Sequence, residues 1–159
     1  MKVFNIVLLL LLQFSCCNKL AMQETTTFPV KIKQVYYQNW VAGVQGGGSG
    51  TAFYLEFEKE IPNDIVLNQL YFRGKRDSVK KTDATNYLIS YAGSANLDKG
   101  NEISSDIPPS EIKTIPSPIP VSDNEAVLEF TQKGKRKLYK IKNITEKEML
   151  AYPSARPRN

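Results

Sequence analysis

Whatever chemistry this chain performs, it performs without imidazole: none of its 159 residues is histidine, which removes the commonest general base, proton shuttle and zinc ligand. Its cysteines, Cys16 and Cys17, both lie near the N-terminus, so the remainder has no thiol for a disulfide, a zinc site or a nucleophile. Carboxylates remain. Glu56 and Glu58 share one face of a strand pattern, about 7 Å apart at roughly 3.3 Å rise per residue, near the separation of glycosidase acid pairs. Glutamates alternating on the outward face of a strand are ordinary solubilisation, and that is the reading taken. Asp123, Asn124 and Glu125 would suit calcium but lack the Asp-x-Asp-x-Asp-Gly frame around them, so they read as a turn. No metal or cofactor is expected.

Binding is the other chemistry on offer. The run Gly43-Val-Gln-Gly-Gly-Gly-Ser-Gly50 is not a phosphate loop, because no Lys-Ser/Thr follows its last glycine and its flanks are strands. A weaker use survives, with the amides of Gly46, Gly47 and Gly48 forming a nest for an anion; a plain turn is the ordinary reading. Tyr36, Trp40 and Tyr54 fall on the polar phases of the strands on either side of that loop. Aromatics at that spacing are commonly cross-strand pairs, but exposed Trp and Tyr are also typical anchors for a ligand, and these are the candidate binding residues.

The N-terminus carries an address. Lys2 precedes the short apolar run 6–12, which leads to Gln13-Phe-Ser-Cys-Cys17. That run is far below the ~20 residues a membrane-spanning helix needs, so residues 1–17 are expected to be a secretory leader. Its ending on cysteine resembles a lipoprotein signal, with Cys16 or Cys17 as the acylated residue. Two acyl chains give stable attachment to a membrane surface. Residues 18–28, polar and threonine-rich, are expected to be a tether.

The body, 29–152, is expected to be one domain. Its first strand changes phase near Lys33-Gln34, with Val30 and Ile32 on one parity and Val35, Tyr37 and Val41 on the other, which calls for a bulge or for cover on both faces. Phe53, Leu55 and Phe57 alternate with Tyr54, Glu56 and Glu58, the pattern of a half-buried antiparallel strand. Further strands are expected over 65–73 and 87–91, with a lysine-rich edge strand between them. Residues 125–131 and 135–142 form a hairpin about Lys133-Gly134. Residues 94–122, with Pro108, Pro109, Pro116, Pro118 and Pro120, are a long proline-rich loop. Thr145 as N-cap and Glu148 at the third helical position predict a short helix over 144–150, and 153–159 is a basic tail. About seven or eight strands with turns between them give an all-β antiparallel sandwich, or alternatively a small barrel.

The net charge of +5, from 21 Lys and Arg against 16 Asp and Glu, is mild and interspersed, unlike the clustered basic face of a nucleic-acid binder. With its leader, Trp40-Val-Ala-Gly-Val-Gln-Gly-Gly-Gly-Ser-Gly50, Leu70-Tyr-Phe-Arg-Gly-Lys75 and Ala151-Tyr-Pro-Ser154, the chain resembles, over nearly its whole length, a group of short lipoproteins from the Bacteroidota. That group has no assigned activity, so the resemblance carries across no catalytic residue. The expected protein is an exported, lipid-anchored binding or structural module of the cell envelope, facing periplasm or cell surface, not an enzyme. Its expected partners are the membrane through the lipid and an envelope protein or glycan. A carboxylate-dependent hydrolase and an inhibitor presenting the glycine or proline loop are the alternatives.

Overall fold

A computed structural model of the chain describes residues 22–96 and 115–153. The fold grows from alternation. In β3 (Ser49–Phe57) the odd positions Phe53, Leu55 and Phe57 are at most 1% exposed, and they anchor the layer between two five-stranded sheets. The other strands are β1 (Gln23–Thr25), β2 (Ile32–Ala42), β4 (Ile65–Phe72), β5 (Lys75–Ser78), β6 (Lys80–Lys81), β7 (Asn86–Ala92), β8 (Ala126–Gln132), β9 (Lys135–Ile141) and β10 (Thr145–Tyr152). Sheet I runs β1-β9-β8-β4-β5 and sheet II runs β10-β2-β3-β7-β6. Neither closes on itself, so the architecture is a sandwich and not a barrel.

The phase shift near Lys33-Gln34 is a bulge, and a second bulge lies in β4. The pairing of β2 with β3 slips between Ile32 and Gln34, which returns Val35 and Tyr37 to the core side. That of β4 with β8 slips between Leu67 and Gln69, which lets Ile65 and Leu67 before the slip, and Leu70 and Phe72 after it, all pack inward. Two hairpins turn on a residue–glycine pair at positive φ: Arg73-Gly74 (48° and 70°) and Lys133-Gly134 (50° and 73°), the left-handed pair that matches strand twist. The lysine-rich segment is two edge strands in different sheets, β5 and β6, with Val79 packed on the core at the crossing.

Three expectations are corrected. First, the helix over 144–150 is absent: from Thr145 onward those residues belong to β10, which pairs in parallel with β2. A lone two-turn helix is marginal, whereas the open edge of β2 offers a ladder of backbone partners, so tertiary pairing overrides the capping signal. Second, the part of the expected tether that is described, residues 22–28, is packed on the domain over most of its length. Gln23–Thr25 pair in parallel with β9, and the Phe28 ring lies against Phe57 (5.3 Å), Phe130 (4.9 Å) and Tyr139 (5.7 Å). Third, the sheets are mixed, since β1 and β10 run parallel to their neighbours. The expected leader, most of the proline-rich loop and the expected tail beyond Pro153 lie outside the described residues. The described end of that loop is a strap: Ile115, Ile119 and Val121 pack on Tyr71, Val127 and Leu138, covering the outer face of sheet I.

Candidate functional site

Alternation along β2 and β3 puts Tyr36, Trp40 and Tyr54 together on the outer face of sheet II. Tyr36 and Tyr54 sit directly opposite and stack, their centroids 4.7 Å apart and their planes inclined by 17°. Lys147 of β10 places its ammonium 3.5 Å from the Tyr36 centroid. Tyr36 is thus enclosed between a phenol and a cation, which leaves it little open ring for a ligand.

Trp40 lies at the other end of the strip, roughly 13 Å along the strand. Its cross-strand neighbour is Gly50, and the indole rests on that glycine so closely that a Cβ there would lie 2.7 Å from Trp40 Nε1 and 2.6 Å from the Tyr91 carbonyl. Tyr152 meets the indole edge-on at 6.2 Å. Leu150 is in register with Trp40 and is 38% exposed, with Met149 at 63%. Met149 lies in the slip of β10 between Lys147 and Leu150. The apolar end of the face is therefore built by β10, the element that the sequence pattern assigned to a helix.

The glycine loop is held and not open. Gly46 and Gly48 both have φ of 77°. The amide of Gly47 donates to the Val44 carbonyl (3.1 Å) and that of Gly48 to the Asn96 carbonyl (2.8 Å). Asn96 Nδ2 in turn donates to the carbonyls of Ala42 and Val44. With those two amides spent on carbonyls, the nest reading of Gly46, Gly47 and Gly48 fails.

The acidic candidates are also accounted for. Glu56 pairs with Lys33 and Glu58 with Lys31, each at 2.6 Å; the carboxylates raise both lysine pKa values. Glu125 accepts the Ser122 amide at 3.0 Å, a bond that, with Lys140 and Lys142 nearby, holds its carboxyl below the usual range. Asp123 offers its carbonyl to Arg73 Nε at 3.0 Å. This is a turn, and no group of His, Cys, Asp or Glu suited to a metal occurs among the described residues. Cys16 and Cys17 lie outside them.

Cavities open on the surface formed by the described residues, two of which bear on function. The larger, about 610 Å³, lies where the start of β2 meets the end of β9, with Lys33, Lys140 and Lys142 on its walls. The smaller, about 220 Å³, enters between the sheets beside Arg73 and is walled by Tyr37, Phe72 and Tyr91. Neither is lined by a carboxylate.

Sequence reasoning missed one buried polar cluster. Glu129 of β8, 2% exposed, accepts from Arg136 through Nε (3.0 Å) and Nη2, and from the Tyr71 hydroxyl at 3.1 Å. Burial raises the Tyr71 phenol pKa, with Arg76 opposing. The only signal available was a glutamate and an arginine placed diagonally across a predicted hairpin, Glu129 opposite Leu138 and Arg136 opposite Thr131. No family model, curated protein or solved structure matches the chain.

Proposed function

We propose that the chain is an exported, lipid-anchored module of the cell envelope that binds a protein partner through the Trp40 end of the outer face of sheet II. The observation that carries this reading is the gathering of Trp40, Tyr152 and Leu150, with Met149 exposed beside them. Aromatic and Met side chains are enriched in protein interfaces. A protein is favoured over a glycan because Tyr36, the ring best placed to widen a sugar platform, is covered by Tyr54 and Lys147. The carboxylate-free walls of both cavities, together with a body lacking imidazole and thiol, favour binding over turnover. The leader with Cys16 and Cys17, and the resemblance to envelope lipoproteins, supply the location.

The test uses the full chain expressed with its leader in a bacterial host. A photo-crosslinking amino acid at position 150 is expected to trap a discrete envelope protein, and the same probe at Val66, 57% exposed on the other sheet, to trap none. Trp40→Ala should abolish the crosslink. Labelled palmitate should enter the chain and be lost only when both Cys16→Ala and Cys17→Ala, or the one acylated position, are changed. Crosslinks equal at 150 and 66, or indifferent to Trp40→Ala, overturn the binding surface; absence of label overturns the anchor.

A further inference from the structure

We infer that the 220 Å³ mouth between the sheets is a binding site for a small oxyanion, a carboxylate or phosphate group, gripped by Arg73 and Lys75. This does not depend on the surface proposed above. The β4–β5 hairpin fixes the pair. Arg73 takes the first left-handed position of the turn, at φ 48°, and Lys75 begins the return strand opposite Phe72, so both cations flank Gly74 at the rim.

The hydrogen-bond inventory decides the sign of the ligand. The Tyr91 hydroxyl donates to the Leu70 carbonyl at 2.9 Å, the Thr51 hydroxyl to Asn39 Oδ1 at 2.7 Å, and the Tyr37 hydroxyl to Glu146. These neutral donors are spent. Arg73 donates Nε to the Asp123 carbonyl at 3.0 Å, and Lys75 donates to the Ala92 carbonyl at 2.9 Å. A guanidinium and an ammonium carry more N–H groups than those bonds use.

Neither cation forms a salt bridge among the described residues. Acids adjoin the mouth without lining it: Glu146 accepts from the wall residue Tyr37 and from Asn39, Asp77 accepts from Ser78, and Asp123 meets Arg73 through its backbone carbonyl. The lining itself thus holds two cations with unspent donors and no carboxylate.

The walls suit an ordered complex. Arg73 lies over the rings of Tyr37 (4.6 Å to the centroid) and Phe72 (5.2 Å), which orients the guanidinium plane before any ligand arrives. A planar fork held in place matches two oxygens of one group, with Lys75 as a point charge beside it. Burial keeps the Tyr37 and Tyr91 hydroxyls protonated, their pKa values raised by desolvation, so no competing phenolate forms near neutral pH. The volume admits an oxyanion with a small body.

The probes are sodium acetate, sodium phosphate and, as a control without oxygen, sodium chloride, each titrated into the full chain in detergent at constant ionic strength. Amide chemical shifts are followed by NMR. Saturable changes centred on residues 73–75 and 91–92 are expected with acetate or phosphate, in the millimolar range; the tighter of the two identifies the group. Arg73→Gln should weaken binding about tenfold or more and Lys75→Gln about threefold to tenfold, while Lys31→Gln changes nothing. Should Arg73→Gln disturb the fold, seen as shifts spread over both sheets, Lys75→Gln carries the test alone. Chloride acting like the oxyanions, no saturation, or affinity unchanged in Lys75→Gln overturns the site.

Discussion

Arg136→Ala should cost the protein more stability than Glu129→Gln, although the arginine is the more exposed partner. The reason is which group each change strands. The Glu129 side chain is 2% exposed and that of Arg136 is 44%. Removing Arg136 leaves a buried carboxylate with the Tyr71 hydroxyl as its hydrogen-bond donor and Arg76 reaching it only by way of that hydroxyl, and stranding a buried charge costs about 3–5 kcal/mol. Glu129→Gln leaves an arginine that reaches solvent and an amide that still accepts, so the loss is nearer that of charge-assisted hydrogen bonds, about 1–2 kcal/mol. Urea unfolding, followed by tryptophan fluorescence and far-UV circular dichroism together, reads both. With a slope of about 2 kcal/mol per molar urea, the midpoint should fall by roughly 1.5–2.5 M for Arg136→Ala and by roughly 0.5–1 M for Glu129→Gln. The double variant should be more stable than Arg136→Ala alone, because the second change removes the stranded charge. Equal losses from the two single changes, or a double variant whose loss is their sum, would refute this reasoning.

Two further outcomes follow from the geometry. Gly50→Ala should destabilise the fold by about 2 kcal/mol or more and shift the tryptophan emission, since the new methyl would meet the Tyr91 carbonyl at 2.6 Å and the indole at 2.7 Å; Gly134→Ala, at φ 73° with nothing within 4 Å, should cost only the backbone strain of about 1 kcal/mol. Asp83 accepts the Asn86 side-chain amide and the backbone amides of Thr85 and Asn86, which hold its carboxyl below the ordinary value. Its contribution is therefore complete above the unfolded-state value, near pH 4, and is lost as pH falls through the lower folded value; Asp83→Asn should flatten the acid limb of the thermal midpoint against pH, and an unchanged limb would count against it.

The centre of the sandwich was legible because it is local. Phe53, Leu55 and Phe57 announce their strand by alternation, the parity change at Lys33 announces a bulge, and Lys133-Gly134 announces a hairpin. What the pattern could not show is who meets whom across a long stretch of chain. Thr145 to Tyr152 is exposed along nearly all its length and its apolar residues do not alternate, so its local signals favoured a helix, and only the edge of β2, more than a hundred residues earlier, makes it a strand. The prolines from 116 to 120 excluded a ladder strand correctly, but not which face they cover. Tyr36 and Trp40 look alike in sequence; Lys147, brought by β10, separates a capped ring from one beside exposed apolar side chains. Arg73 and Lys75 were visible only as residues beside a turn glycine.

The short parallel ladder of β1 has a mechanical consequence. A pull applied on the N-terminal side of Gln23 loads only three paired residues before it reaches Phe28. Those residues can peel away, freeing the five residue steps between Gln23 and Phe28 as about 17 Å of chain at ~3.4 Å per residue, while the layer between the sheets stays intact. Phe28, seated against Phe57, Phe130 and Tyr139, is the stop at the end of that slack, so a tug from that side is taken up as reach before it becomes strain.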